Sequence, residues 1–334
     1  MANGIKSLRY IQIGKETTAG TAVAATAIWR GMGTMDDQRT IVFPDEDIGY
    51  ISQTDRAYEP MIGAAISFDE VEATFEQLPY VLNAGLKAVT GAQDGTDGSG
   101  YAYVHTAPTT AANTLDLYTI EGGDNIQNYE MEYAFVEKFK LSGKAGESWK
   151  VQADWVGRQV SKSTKTGSLT LDTVEEIPFS LTTLSIDTVG GTIGTTAVSA
   201  TLYAVELDCT TGWHGTFTGD SKYFTLHNVD GKKLDVIVKF TYLHTTSAVA
   251  EYDAFVAQTP RQIRIESTGT ALTTSGTFTS KTLRLDMAGK YETWDKLGDQ
   301  NGDDIVVATF RARYDPTAAL FFEPTVVNEL TALT

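Results

Sequence analysis

The sequence predicts a mainly β protein with one short helix per domain, built as two tandem β-sandwich or small-barrel domains. Three observations lead there. In residues 65–86, AISFDEVEATFEQLPYVLNAGL, Ile66 and Phe68 alternate with Ser67 and Asp69, as in a strand with one wet face. From about Glu76 the spacing Leu78, Leu82, Leu86 follows a helix face instead, with Pro79 in the first turn and Gly85 near the end. Residues 234–258 repeat the switch. Leu234, Val236, Val238, Phe240 and Tyr242 share a strand face, and a Thr246/Ser247 cap opens a helix carrying Val249, Tyr252, Phe255 and Val256 before Pro260. Finally, 334 residues with 42% hydrophobic content are enough for two packed cores of roughly 150 residues each.

The elements in order support this division. Residues 1–27 read as an N-terminal arm, with one strand over 7–13 and then a small, polar stretch containing Gly14, Glu16 and Gly20. A phosphate loop is excluded there, because Lys15 precedes the second glycine and no amphipathic helix follows. The first domain spans 28–160 and opens with strands at 28–32 and 39–43. Pro44, Asp45, Glu46, Asp47, Ile48, Tyr50, Tyr58 and Pro60 mark an acidic and aromatic segment too long for a tight hairpin turn. Long ordered loops in compact domains are commonly functional, so this one is a candidate contact arm. The loop at 91–100 reads as a flexible turn, since the residues after Asp94 and Asp97 lack the calcium-loop pattern.

Further strands are expected at 101–105, 114–120, 128–136, 138–143 and 148–158. In the last, Trp149, Val151, Ala153 and Trp155 fall on one face and Lys150, Gln152, Asp154 and Arg158 on the other, after a hairpin turn at 143–146. Residues 159–171 have the composition of a linker or a polar strand pair between domains, and 161–177 is taken as the linker. The second domain, 178–334 with a C-terminal tail, carries strands at 179–187, 200–209, 223–227, 234–242, 262–267, 282–288 and 305–314. Its order of strands, strand into helix and closing hairpin matches the first half, which is the pattern of a duplication.

Composition narrows the chemistry. The net charge of −17, with no basic block longer than Lys232-Lys233, argues against tight phosphate binding. The single cysteine, Cys209, excludes a disulfide within the chain and reads as a small buried hydrophobe. Neither a secretory signal, a membrane span nor an Asn-x-Ser/Thr acceptor is expected. His105, His214, His227 and His244 lack metal-pair spacing, no G-x-S-x-G occurs, and Gly190 to Gly194 has no helix after it for a dinucleotide. Adjacent carboxylates such as Asp69/Glu70 and Glu175/Glu176 point to opposite strand faces, and DQNGDD at 299–304 reads as a hairpin tip. Neither enzyme nor cofactor is expected.

Two stretches, GKETTAGTAVAATAIWRG at 14–31 and FEQLPYVLNAGL at 75–86, resemble the tail tube (major tail) proteins of long, non-contractile-tailed, siphovirus-type bacteriophages. The resemblance covers the first domain best; the second half lacks the Leu-Pro helix start and a second GKET-like arm. It implies a tube domain flanked by a helix, self-assembling through edge strands into stacked rings that conduct double-stranded DNA. Two such domains per chain imply a trimeric, pseudo-hexameric ring in the virion tail, assembled in the host cytoplasm. The implied partners are further copies of the chain and the tape measure, tail terminator and tail tip proteins, with no membrane. Residues 44–60 and the N-terminal arm would bridge rings, and Leu78, Leu82, Leu86, Val249, Tyr252 and Phe255 would pack the helices. An acidic lumen would repel DNA phosphates. The alternative is a β-sandwich adhesion or carbohydrate-binding module; such sites use exposed aromatics, whereas the strand-phased Trp149 and Trp155 read as core or subunit contact.

Overall fold

The computed structural model describes residues 3–52 and 55–333. Its first half contains β1 (Tyr10–Lys15), β2 (Ala27–Trp29), β3 (Gly33–Asp37), the hairpin strands β4 (Thr40–Val42) and β5 (Tyr58–Met61), β6 (Ala64–Glu72) and helix α1 (Leu78–Gly85). After α1 come β7 (Ala92–Gln93), β8 (Tyr101–Val104), β9 (Tyr118–Gly123), the long β10 (Asn128–Lys144), β11 (Lys150–Gly157) and β12 (Val160–Ser163). The second half opens with β13 (Thr182–Thr188), β14 (Leu202–Thr210), the hairpin strands β15 (Trp213–Phe217) and β16 (Phe224–Val229), and β17 (Asp235–Leu243). It continues through helix α2 (Thr246–Val256), β18 (Arg261–Ala271), β19 (Ser280–Trp294), β20 (Gly298–Gln300), β21 (Asp303–Ala312) and β22 (Phe322–Asn328).

The two halves are wired alike. In the first, β3 pairs with β6, β6 with β11, and β11 with the C-terminal half of β10. The N-terminal half of β10 lies between β9 and β12, and β9 pairs with β1. In the second, β14 pairs with β17, β17 with β21, and β21 with the C-terminal half of β19. The N-terminal half of β19 lies between β18 and β22, and β18 pairs with β13. Each unit is thus two sheets sharing one long strand, with a helix between its third and fourth matching strands. Even the irregularities agree. The β10–β11 register shifts at Glu137 and the β19–β21 register at Glu292, and a bulge of this kind bends the strand that carries it.

Alternation builds the core. Val151, Ala153 and Trp155 of β11 point inward between half-buried polar neighbours, and Ile66 and Phe68 of β6 do the same between exposed Ser67 and Asp69. Trp29, Phe68, Trp155, Tyr118 and Tyr80 form a chain of ring contacts with centroids 5.1 to 6.0 Å apart. One continuous hydrophobic cluster runs through both units.

Several expectations are corrected. The stretch at 14–21 is no extended arm: Gly14 lies inside β1, between β2 and β9, and a Cβ there would approach the Ala24 carbonyl oxygen to 2.5 Å. Residues 161–177 begin as a polar strand and also touch the second unit, where Glu175 accepts from Thr270 N at 2.6 Å and meets Lys281 at 3.2 Å. Ser161 and Ser163 pair with β10, and Glu176 and Pro178 bridge to Thr74 and Ser148 of the first unit. The expected tail contains β22, which pairs with both β19 and β8 and so crosses from one unit to the other. The cap of α2 is Thr245, whose Oγ1 accepts from Ala248 N at 3.3 Å. Its inward residues are Ala248, Glu251 and Ala254, because Glu251 is drawn to Arg261 (3.0 Å) at the start of β18. Val249 and Tyr252 consequently face outward, at 45% and 46% exposure, and Phe255 is half-buried. Leu78, Leu82 and Leu86 are all buried. At 299–304 the hairpin tip is present, with Asn301 and Gly302 both at positive φ, as a two-residue turn with the strands' own twist requires.

Candidate assembly interface

The buried titratable groups lock the structure. Asn83 of α1 accepts from His105 Nε2 at 2.7 Å and donates to Asp116 at 2.8 Å, and Lys15 reaches Asp116 at 2.9 Å. Burial lowers the His105 pKa to about 3, so the ring is neutral and simply ties α1 to the strand beside it. Glu16 accepts from Gly20 N and Tyr133 N, each at 2.7 Å, and from Thr119 Oγ1 at 3.0 Å. Burial raises its pKa, while those three hydrogen bonds act the other way. Gly20, at φ +71°, gives its carbonyl to Arg158 at 2.9 Å. Glu16 and Gly20 therefore close a turn held against β9 and β10, and Gly14 lies in β1 just before it. Cys209 is fully buried, which pushes its thiol pKa up. Among the described residues, no group of three His, Cys, Asp or Glu side chains could hold a metal.

What the fold presents instead is sheet edge. The C-terminal half of β10 pairs antiparallel with β14, from Lys138 opposite Thr210 to Lys144 opposite Ala204. Phe139 and Leu141 bury with Leu207 and Cys209 on one face, and Lys140 meets Glu206 at 3.4 Å on the other. This joint fuses the units into one eight-stranded sheet, β3-β6-β11-β10-β14-β17-β21-β19. The repeat matches β3 with β14 and β19 with β10, so the two ends of the sheet are the two halves of the same joint. Among the described residues β3 pairs only with β6, and β19 beyond Gly289 and β20 pair only with β21.

The hairpins repeat as well. β15–β16 connects β14 to β17, as β4–β5 connects β3 to β6. The first lies on the neighbouring unit. Trp213 and Phe224 form a second small core with Leu115, Leu117, Tyr133 and Phe135, Tyr133 Oη meets His227 Nδ1 at 3.1 Å, and Arg158 Nε donates to the Phe224 carbonyl at 3.3 Å. Among the described residues the other hairpin is held only at its base, where Lys222 reaches Glu59 at 3.8 Å and Ile62 N donates to the Lys222 carbonyl at 2.9 Å, and its outer part is exposed. Phe43 is 68% and Tyr50 75% exposed, and Ile48, Tyr58 and Pro60 are exposed beside them. Asp45 and Asp47 also face solvent, while Pro44 and Glu46 are partly covered, Glu46 with an ion pair to Arg56. The structure thus gathers the described residues of the candidate contact arm into one hairpin. The sequence reading missed β15 and hence the matching hairpin. Trp213 and Phe217 before the turn residues Gly219-Asp220, with Phe224 after them, were the available signal.

No protein-family model and no curated protein matches the chain. Among the described residues, no helix is long and apolar enough to cross a membrane.

Proposed function

We propose that the chain is a structural subunit of a bacteriophage tail tube, assembling into stacked rings that conduct double-stranded DNA, with no catalytic step. The observation that carries this reading is the β10–β14 joint: two like units already meet edge to edge in one chain, and the same two edges remain at its ends. Unpaired N–H and C=O groups on those edges are covered when a second copy adds its β3 beside β19 and β20, a head-to-tail contact that closes into a ring.

Three copies supply six units, the ring implied by the family resemblance. With strands about 4.8 Å apart and tilted near 40°, three eight-stranded sheets close a barrel about 48 Å across between backbones, wide enough for a DNA double helix. The wet face of that sheet carries Asp36, Asp69, Asp154 and Asp208 together with Lys140, Lys150 and Lys239. Acidic groups on that face, Glu206 among them, stand beside these lysines, and with few phosphates neutralised DNA is loosely held. The faces above and below the ring remain for the next ring and for the tape measure, terminator and tip proteins of the virion tail.

Negative-stain microscopy with native mass spectrometry tests the reading. Rings or tubes of uniform width containing three chains per ring are the expected result. Monomers persisting at high concentration would overturn it, and six chains per ring would contradict two tube units per chain.

A further inference from the structure

We infer that hairpin β4–β5 of one copy seats in a cavity beside Arg313 of the next copy, as β15–β16 lies against Arg158 within the chain. The inference rests on the head-to-tail contact proposed above and adds its second point of attachment.

The repeat fixes the location. Trp155 lies opposite Ile66, and Phe310 opposite Val238, at matching places in the two units. Counting on from them equates Val156 with Arg311 and Arg158 with Arg313. The bulged Glu137 and Glu292 equate Phe135 with Lys290, and the pairs Ala134–Tyr118 and Gly289–Arg261 equate Leu117 with Pro260. In the first unit, Leu117, Phe135, Val156 and Arg158 are the positions that hairpin β15–β16 contacts. In the second, Pro260, Lys290, Arg311, Arg313 and Tyr314 line a cavity of about 320 Å³, with Glu292, paired to Arg311, and Asp315 at its wall. One repeat unit therefore holds a hairpin where the other holds a hollow, and the outer part of the matching hairpin, β4–β5, is exposed among the described residues. A joint that brings β3 of a second copy beside β19 also brings along the β4–β5 hairpin, which leaves β3 after two residues.

The chemistries fit. Lys290 has no ion pair among the described residues, and Arg313 shares Asp235 with Arg311. The hairpin brings exposed Asp45 and Asp47 toward these cations, with Phe43 and Tyr58 to cover Pro260 and the half-exposed Tyr314. Arg158 donates to a main-chain carbonyl of its hairpin, and Arg313 is the group in the second unit able to do the same.

The test incorporates p-benzoylphenylalanine at position 58 of the full chain and irradiates it at assembling concentration. Adducts between copies should map to residues 258–261, 289–292 or 311–315, and Lys290→Glu with Arg313→Glu should cut their yield at least tenfold. In parallel, Gln38→Cys with Thr293→Cys, the positions equivalent to Thr210 and Lys138, should give a disulfide between copies, since opposed residues in a ladder lie within bridging distance. If that disulfide forms while the adducts map elsewhere or are missing, the hairpin seat is wrong and the ring reading stands. If neither product forms, both fall.

Discussion

Helices α1 and α2 occupy the same position in two like units, yet one is sealed and the other is not. Every residue of α1 is buried, whereas α2 buries only Ala248, Glu251 and Ala254 and leaves Val249, Tyr252 and Val256 outside. The difference lies in the chain beyond each helix. After α1 the chain makes a long excursion through β7 and β8 before β9, and β8 pairs with β22 of the other unit. Asn328 at the end of β22 then donates to the Phe75 carbonyl at 2.7 Å, just ahead of the helix. After α2 the chain enters β18 within a few residues and no comparable cover exists among the described residues. Burial in a repeated unit is therefore set by the segments inserted around it as much as by its own sequence, and the joint made within the chain carries a clasp that the open ends lack.

The contrast can be broken by substitution. Leu82→Ala, in the sealed helix, should cost about 3 kcal/mol in urea unfolding, the usual range for emptying a fully buried leucine site. The next largest effect is pH dependence from His105. Its folded pKa lies below that of an unfolded histidine, so its stabilisation is complete above about pH 6.5 and is lost as the pH falls toward 3. The unfolded chain takes up a proton that the buried ring refuses, which gives a slope of up to about 1.4 kcal/mol per pH unit. Urea midpoints between pH 7 and 5 should show that slope in the wild type and lose it in His105→Gln. On α2, Tyr252→Ala should change monomer stability by less than about 1 kcal/mol, since the ring is half exposed. A loss equal to that of Leu82→Ala would end the distinction between the helices.

Much of the fold was legible where period and turn chemistry are local. The strand-to-helix switches, the alternation around Trp149 and Trp155, and the Asn301-Gly302 hairpin tip could all be read from a few adjacent residues. What could not be read depends on partners far away. β10 looks like two strands because the bulge at Glu137 interrupts its alternation, and only the pairing with β11 and β14 makes it one. β22 carries Pro324, which demotes a strand in any sequence reading, and it is held by β8 and β19 from distant parts of the chain. The same holds for the candidate interface. The acidic, aromatic segment at 44–60 stood out, but its counterpart at β15–β16 was hidden until the two halves could be compared strand by strand. The inward face of α2 was misread because its stripe is set by alanines and a paired glutamate rather than by its largest apolar residues.

The β10–β14 joint also has a consequence for dilution. Because it forms as a single chain folds, it costs no translational freedom, and its two edges meet at the high effective concentration of groups held on one molecule. In the ring proposed above, only every second joint then depends on protein concentration. Dilution should part the assembly at β3 and β19 alone, releasing whole chains whose two units stay together.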